Sequence, residues 1–381
     1  MSGTRRLFWE DPYLTEFEAE IVEQLVVDGS PAAVLDATCF YPDSGGQPHD
    51  LGSLGDASVL DVQESGGHII HLLSQPVPMG PVKGQVDGAR RQDHMQQHTG
   101  QHILSRAFEK LLAAETTSFH LGTETGTIDV DLARLDAGEA QRVEELANRI
   151  VLEDRAVVAR QYSEDALGSL SLRRPPKVHG TVRVVEIDSF DACPCGGTHV
   201  ARTGEVGPIH MSAWSRQRGQ IRIEFLCGWR ALRDYQRCDT ICRGLANELS
   251  VSISELPDGL ARLQEAEQAA RRRAERLRKR LLECELPHLA DGAEEIGGMR
   301  VICRLLDGYD AGNIRYIAQR PTEEARTVAL LAVSDPSPQV CFARSADVPL
   351  DMAHLLRASV SPFGGRGGGR PRRNPLGPAT P

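Results

Sequence analysis

Two short spacings in this chain carry metal-ligand chemistry. His98 and His102 stand four apart in His98-Thr99-Gly100-Gln101-His102, and Cys195 and His199 stand four apart in Cys195-Gly196-Gly197-Thr198-His199. On a helix, side chains at i and i+4 share one face, so both imidazoles can reach a single ion. The glycines between Cys195 and His199 let a loop curl a thiolate and an imidazole onto one point. Together the four make a His3Cys set whose donor types suit zinc. The peptidase pattern H-E-x-x-H needs a glutamate base after the first histidine. Thr99 stands there, so that chemistry is not expected. Taken singly, a histidine pair also arises by chance on a long helix, and a buried cysteine beside a glycine turn needs no metal. Cys193 could exchange with Cys195 but is expected to stay idle. His94, on the same helix face, is expected behind the ligands or facing phosphate, not as a fifth donor.

A third stretch, Asp36 to Gly52, reads as a strand ending in a Pro/Gly turn at Pro42-Asp43-Ser44-Gly45-Gly46-Gln47. Glycines there allow a ligand to approach the backbone, and Thr38 and Gln47 offer polar contacts. An ordinary hairpin would look the same.

Elements of several kinds must position these residues. Residues 1–90 show short alternating runs at Glu18–Val27, Ala32–Leu35, Ser58–Val62 and His68–Leu72, separated by Gly-rich turns, which predicts a small N-terminal β-barrel or sandwich. Helical spacing runs from Arg91 to about Leu112 and again over Asp136–Asp154, with strands at Thr127–Val130, Thr181–Ile187 and Ile221–Leu226. That order implies an α+β core over 91–228. Residues 229–290 read as a helical, coiled-coil-like linker, with a narrow apolar stripe at Leu263, Ala266, Ala270, Ala274, Leu277, Leu281 and Cys284. Residues 291–381 read as a small α/β domain, with strands at Met299–Leu305, Thr327–Val333 and Val340–Phe342 and helices at Asp310–Gln319 and Pro349–Arg357. A Gly/Arg-rich tail follows.

Composition excludes some classes. The 381 residues are enough for two to four domains and a large core. No apolar run approaches the ~20 residues of a membrane span, and the start, with two arginines but no apolar segment, does not read as a secretory signal. Nine scattered cysteines, an odd number, fit a reducing, cytoplasmic setting. A net charge of -10 rules out a uniformly basic nucleic-acid binder. One segment departs from that balance: Ala261–Cys284 holds seven Arg and one Lys against four Glu, a net of +4. It could contact phosphate or form the solvated face of a dimerising helix.

Phe40 to Gln47 (FYPDSGGQ), then HTGQH, then CGGTH, in this order, resembles the editing domain of alanyl-tRNA synthetase and, most closely, the free-standing alanyl-tRNA editing proteins of the AlaX family in their long form. Leu7-Phe8-Trp9, Ser118-Phe119-His120-Leu121-Gly122 and Arg222 to Gly228 support it, and the last region resembles the synthetase's C-terminal domain. The resemblance implies a zinc-dependent trans-editing hydrolase. Its substrate would be mischarged tRNA(Ala), chiefly Ser-tRNA(Ala), with Gly-tRNA(Ala) as a second candidate. It implies one zinc per chain at His98, His102, Cys195 and His199. Thr38 matches the position thought to sense the serine hydroxyl, with Gln47 beside it in the glycine turn. His120 is the candidate for steering the attacking water; a satisfied sheet histidine is the plainer alternative. Asp129 is a weaker candidate for the same role, and a structural part is the expectation for it. A homodimer through the helical linker or C-terminal domain is a further expectation. So is tRNA contact by Arg366, Arg370, Arg372 and Arg373 of the tail. The sequence departs from the family where Arg372-Arg373-Asn374-Pro375 follows Arg370-Pro371. The alternative is a non-catalytic tRNA-binding or synthetase-associated module with a structural zinc.

Overall fold

The structure, a computed structural model, describes residues 3–168, 170–175, 180–306, 309, 311–334 and 338–364. The tail arginines therefore lie outside the described residues. The chain divides into two compact units, one ending at Gly244 and the next beginning at Leu245. The helix Trp229–Leu249 carries the chain across that division.

In the first unit, six strands hydrogen-bond in a closed ring. The order is Glu16–Val27, Ser30–Leu35, His68–Leu73, Ala57–Ser65, Gly52–Leu54 and Gly80–Val86, and the last pairs back onto the first. Every pairing is antiparallel. Alternation puts Ile21, Leu35, Val59 and Ile69 inside, and a register irregularity between Val59 and Asp61 turns Val62 inward too; Phe17 and Phe40 meet edge to face. Gly84 makes room for that filling, because a Cβ there would stand 2.3 Å from the Phe17 ring.

The helix Gly88–Leu112 follows, its first turn capped by the Asp87 carboxylate accepting the Arg90 N–H. It packs in the core with a sheet in the order Ile209–Gln217, Gln220–Cys227, Gly126–Val130 and Thr116–Leu121. Gly100 lies mid-helix because a Cβ would meet Cys227 Sγ at 2.2 Å. A second helix, Ala137–Leu152, opens with a reciprocal capping box between Asp136 and Glu139. A third sheet, Val157–Tyr162, Val182–Ile187 and Asp191–Pro194, delivers the chain to Cys195. Mixed helices and sheets bear out the α+β class.

Two ion pairs, one buried and one partly buried, tie the long helix to its neighbours. Arg91 and Asp50 are both essentially inaccessible, and Arg91 also donates to the carbonyls of Cys39 and Pro12. Arg230 forks onto Asp93 at 2.7 and 2.9 Å and donates to Gly122 O. Breaking the Arg91–Asp50 pair on either side, or removing Asp93 from Arg230, would strand a buried charge.

The second unit contains the long helix Leu256–Leu289, preceded by the 3-10 turn Ile253–Glu255. Its sheet runs Glu294–Ile296, Met299–Leu306, Thr327–Val333, Gln339–Arg344. The two middle strands are parallel and are joined through the helix Ala311–Gln319. A last helix spans Met352–Val360. The helical region is thus two helices, broken near Ser250, whose φ is +52°. Leu282 joins the core of this unit, whereas Leu263, Leu277 and Leu281 stay about half exposed.

Candidate metal centre

Three segments far apart in sequence meet at one point. The long helix presents His98 and His102 one turn apart, as their spacing predicts. The loop after Asp191–Pro194 presents Cys195 and His199. One donor atom from each of these four lies within 4.8 Å of the others, and all three histidines are buried. Cys195 Sγ stands 3.4 Å from both His98 Nε2 and His199 Nε2. A tetrahedral zinc with bonds of about 2.0–2.3 Å would space its donors by roughly 3.3–3.8 Å; the two spacings to the sulfur match that, and the four donors together stand within 4.8 Å. Cys193 and His94 are not in the group, as expected; the Cys193 thiol turns to Pro194 O at 3.8 Å.

Each imidazole is held from behind at Nδ1. His98 Nδ1 donates to Gln47 Oε1 at 2.7 Å, and His199 Nδ1 pairs with Thr99 Oγ1 at 3.1 Å. His102 Nδ1 faces Asp191 Oδ2 at 3.4 Å, a charge contact rather than a well-formed hydrogen bond. Asp191 is paired in turn with Arg173 at 3.0 Å. A partner at Nδ1 points the Nε2 of His98 and His199 at the centre, the arrangement metal-bound histidines adopt, while His102 has only the Asp191 charge behind it.

Gln47 arrives on the glycine turn. Gly45 and Gly46 have φ of +59° and +87°, and a Cβ on Gly46 would press to 2.5 Å from Phe119 O. The Gln47 amide then joins all three motifs. Its oxygen also accepts the Thr198 N–H at 3.2 Å, and its nitrogen donates to Thr198 Oγ1 at 2.9 Å.

Electrostatics favour a cation here. Burial opposes ionisation of the Cys195 thiol. The facing imidazoles of His98 and His199, and hydrogen bonds from His102 and His199, outweigh it and hold the thiol well below its usual range. Burial, with His98 close by, pushes His199 down to about 3, so it is a neutral donor. Burial also opposes the His102 cation, but Asp191 and Cys195 prevail and raise its pKa. Asp191 is held low by His102 and Arg173 against its own burial.

Thr38 is fully buried inside the ring. Its hydroxyl pairs with His71 Nε2 at 2.9 Å and accepts the Phe40 N–H at 3.1 Å. The structure does not bring His120 into the group. Its neighbour Phe119 packs on the His98 ring at 5.2 Å, and strand alternation sends the exposed His120 to the other face. Asp129 pairs with Arg222 at 2.7 and 2.8 Å, as a structural residue would. Asp191 and Arg173 had no signal in the sequence. Thr99 and Thr198 lay inside the motifs without being singled out.

The family model of the threonyl and alanyl tRNA synthetase second additional domain matches residues 182–224, which include the Cys195–His199 loop. The alanyl-tRNA editing protein AlaX-L of Pyrococcus horikoshii is 31% identical over 378 residues, covering 96% of this chain and 92% of that protein. The chain belongs to the AlaX-L family. Alanine–tRNA ligases align with this AlaX-L-type chain as well. That of Pyrococcus abyssi is 33% identical over 96% of the chain, and that of Methanopyrus kandleri 32% identical over 98%. The chain spans about two fifths of the length of these ligases, 41% and 43%.

Proposed function

We propose that this chain is a trans-acting editing hydrolase that deacylates mischarged tRNA(Ala), chiefly Ser-tRNA(Ala), with Gly-tRNA(Ala) as a second substrate. It would hold one zinc at His98, His102, Cys195 and His199. The observation that carries this reading is the convergence of the four donors with the glycine turn through Gln47. It is supported by membership in a family whose curated relative is named an alanyl-tRNA editing protein.

In the reaction, water adds to the ester carbonyl carbon and the ribose oxygen leaves, releasing the amino acid and free tRNA. Zinc, when bound, supplies Lewis acidity toward a carbonyl or water, or the order of the pocket wall. Gln47, Asp191 and Thr99 hold the imidazoles in one tautomer. The Thr38 hydroxyl is proposed to read the substrate. Its proton goes to His71 and one lone pair takes the Phe40 N–H, which leaves a second lone pair to accept from a serine hydroxyl. Alanine would leave that acceptor unpaired, the situation in which polar sites discriminate strongly.

We assign the glycine turn to residues 1–90 and the centre to 91–228. The helical segment 229–290 and domain 291–381 would meet the tRNA body, acting as a homodimer in the cytoplasm. A structural zinc in a non-catalytic tRNA-binding module has one observation behind it: four protein donors already close a tetrahedral shell. Turnover of Ser-tRNA(Ala) against Ala-tRNA(Ala), with zinc content measured before and after chelation, separates the two. Deacylation of Ser-tRNA(Ala) alone is expected. Stoichiometric zinc without turnover would leave the binding module.

A further inference from the structure

We propose that Trp9 and Arg183 are positioning residues that lock the peptide orientation of the Cys195-Gly196-Gly197 loop, so that its sulfur and N–H groups face the metal cluster. The inference rests on the zinc reading above. Arg183 Nη1 donates to Cys195 O at 2.8 Å and to Gly197 O at 3.0 Å. Trp9 Nε1 donates to Gly196 O at 2.8 Å. Three successive carbonyls are thus held on one side by two side chains. On the other side, the Gly197 N–H points to Cys195 Sγ at 3.5 Å and the Thr198 N–H to Gln47 Oε1 at 3.2 Å. These contacts hold both faces of the loop's peptide planes, and a flipped peptide would aim a carbonyl, not an N–H, at the sulfur.

Neither donor is itself one of the four grouped residues, and the Arg183 backbone also accepts the Cys195 N–H at 3.0 Å. Arg183 lies on Val182–Ile187 and Trp9 on the short helix Leu7–Glu10. They brace each other, with the Arg183 guanidinium 5.9 Å from the Trp9 ring and that of Arg6 at 4.4 Å. Buried Phe8 anchors the helix edge to face on Tyr41 at 5.4 Å. The loop has no slack: a Cβ on Gly197 would stand 2.2 Å from His98 Cε1. A loosened loop would therefore disturb a neighbouring ligand as well as the sulfur.

The test uses the full chain with Arg183→Met, Arg183→Lys and Trp9→Phe. Zinc affinity is measured by competition with a chromogenic chelator, and alkylation of Cys195 in metal-free protein by site-resolved mass spectrometry. Arg183→Met should weaken zinc by about 10–100-fold, the range for outer-shell partners of metal ligands. Arg183→Lys and Trp9→Phe should lose less, and Cys195 should alkylate faster in all three. Cys39 and Cys227, buried elsewhere in the same unit, are internal controls. Wild-type zinc affinity and alkylation in folded Arg183→Met and Trp9→Phe would overturn the proposal. So would equal acceleration at all three cysteines, which is general loosening. If Arg183→Met does not fold, Trp9→Phe decides alone. If the wild-type chain binds no zinc, the metal reading fails, and selective acceleration at Cys195 still decides the loop.

Discussion

Asp191 sits between the Arg173 guanidinium at 3.0 Å and the His102 imidazole at 3.4 Å. Asp191→Asn removes the charge that orients His102 and leaves Arg173 buried without its partner. Zinc affinity should fall by about 10–100-fold, read by chelator competition. An unchanged affinity would make Asp191 a packing residue. Thr38 makes a second test. Thr38→Val strands the buried His71 Nε2, at a cost of about 1–3 kcal/mol, and should bring the Ser-tRNA(Ala) and Ala-tRNA(Ala) rates together. Thr38→Ser should keep both stability and discrimination. Equal discrimination in all three proteins would remove Thr38 from the reader's role. His120, exposed on the outer sheet face, should tolerate His120→Ala with turnover changed less than about twofold; a general acid or base would cost 10²-fold or more. The group of four donors was legible in the sequence because each pair is local. Asp191 and Arg173 were not, since only folding brings them to His102.

At the scale of elements, the helix Gly88–Leu112 shows where propensity and packing disagree. Gly100→Ala adds helix propensity worth about 1 kcal/mol. Its Cβ would collide with Cys227 Sγ at 2.2 Å, so a net loss of roughly 1–3 kcal/mol is expected. Gly244→Ala, in a helix with open space around it, should gain up to about 1 kcal/mol. Opposite shifts in Tm would confirm the contrast. The ring carries a pH signature. Burial holds His71 at about 4 against a usual value near 6.5, only partly offset by its bond to Ala33 O. As pH falls from about 6.5 to about 4 the unfolded chain takes up a proton that the folded chain refuses. Stability should therefore drop by about 1.4 kcal/mol per pH unit from this group alone, roughly 3 kcal/mol in all. His71→Gln should flatten the acid limb of a Tm-against-pH curve by that one proton. Alternation and helical spacing made most long elements legible to within a few residues, but not the strands Ile209–Gln217, Val157–Tyr162 and Asp191–Pro194. Gly52–Leu54, Gly80–Val86 and Thr116–Leu121 escaped because glycine, proline or threonine blurs their alternation, and only their partners in the sheets define them.

On the whole molecule, charge is segregated. The chain is acidic at -10, yet Ala261–Cys284 is basic, and its arginines stand on a helix of which only Gly259 and Leu282 are buried. Arg271 meets Glu275 at only 3.8 Å, with both side chains more than 70% exposed, a pairing worth little in water. Such a face suits phosphate, and the half-exposed Leu263, Leu277 and Leu281 suit a second helix. The two roles are separable by salt. Each phosphate contact contributes about 0.7–0.9 to the log–log salt slope of tRNA affinity. Charge reversal of Arg271, Arg272 and Arg273 should therefore weaken tRNA binding and lower that slope by roughly 2–3. Zinc content should stay unchanged, because these residues lie in the second unit and the four donors in the first. Turnover at saturating tRNA should be kept for the same reason. If affinity and slope both stay at wild-type values while sedimentation shows a changed assembly state, the arginines belong to a helix–helix contact, and tRNA must be held elsewhere.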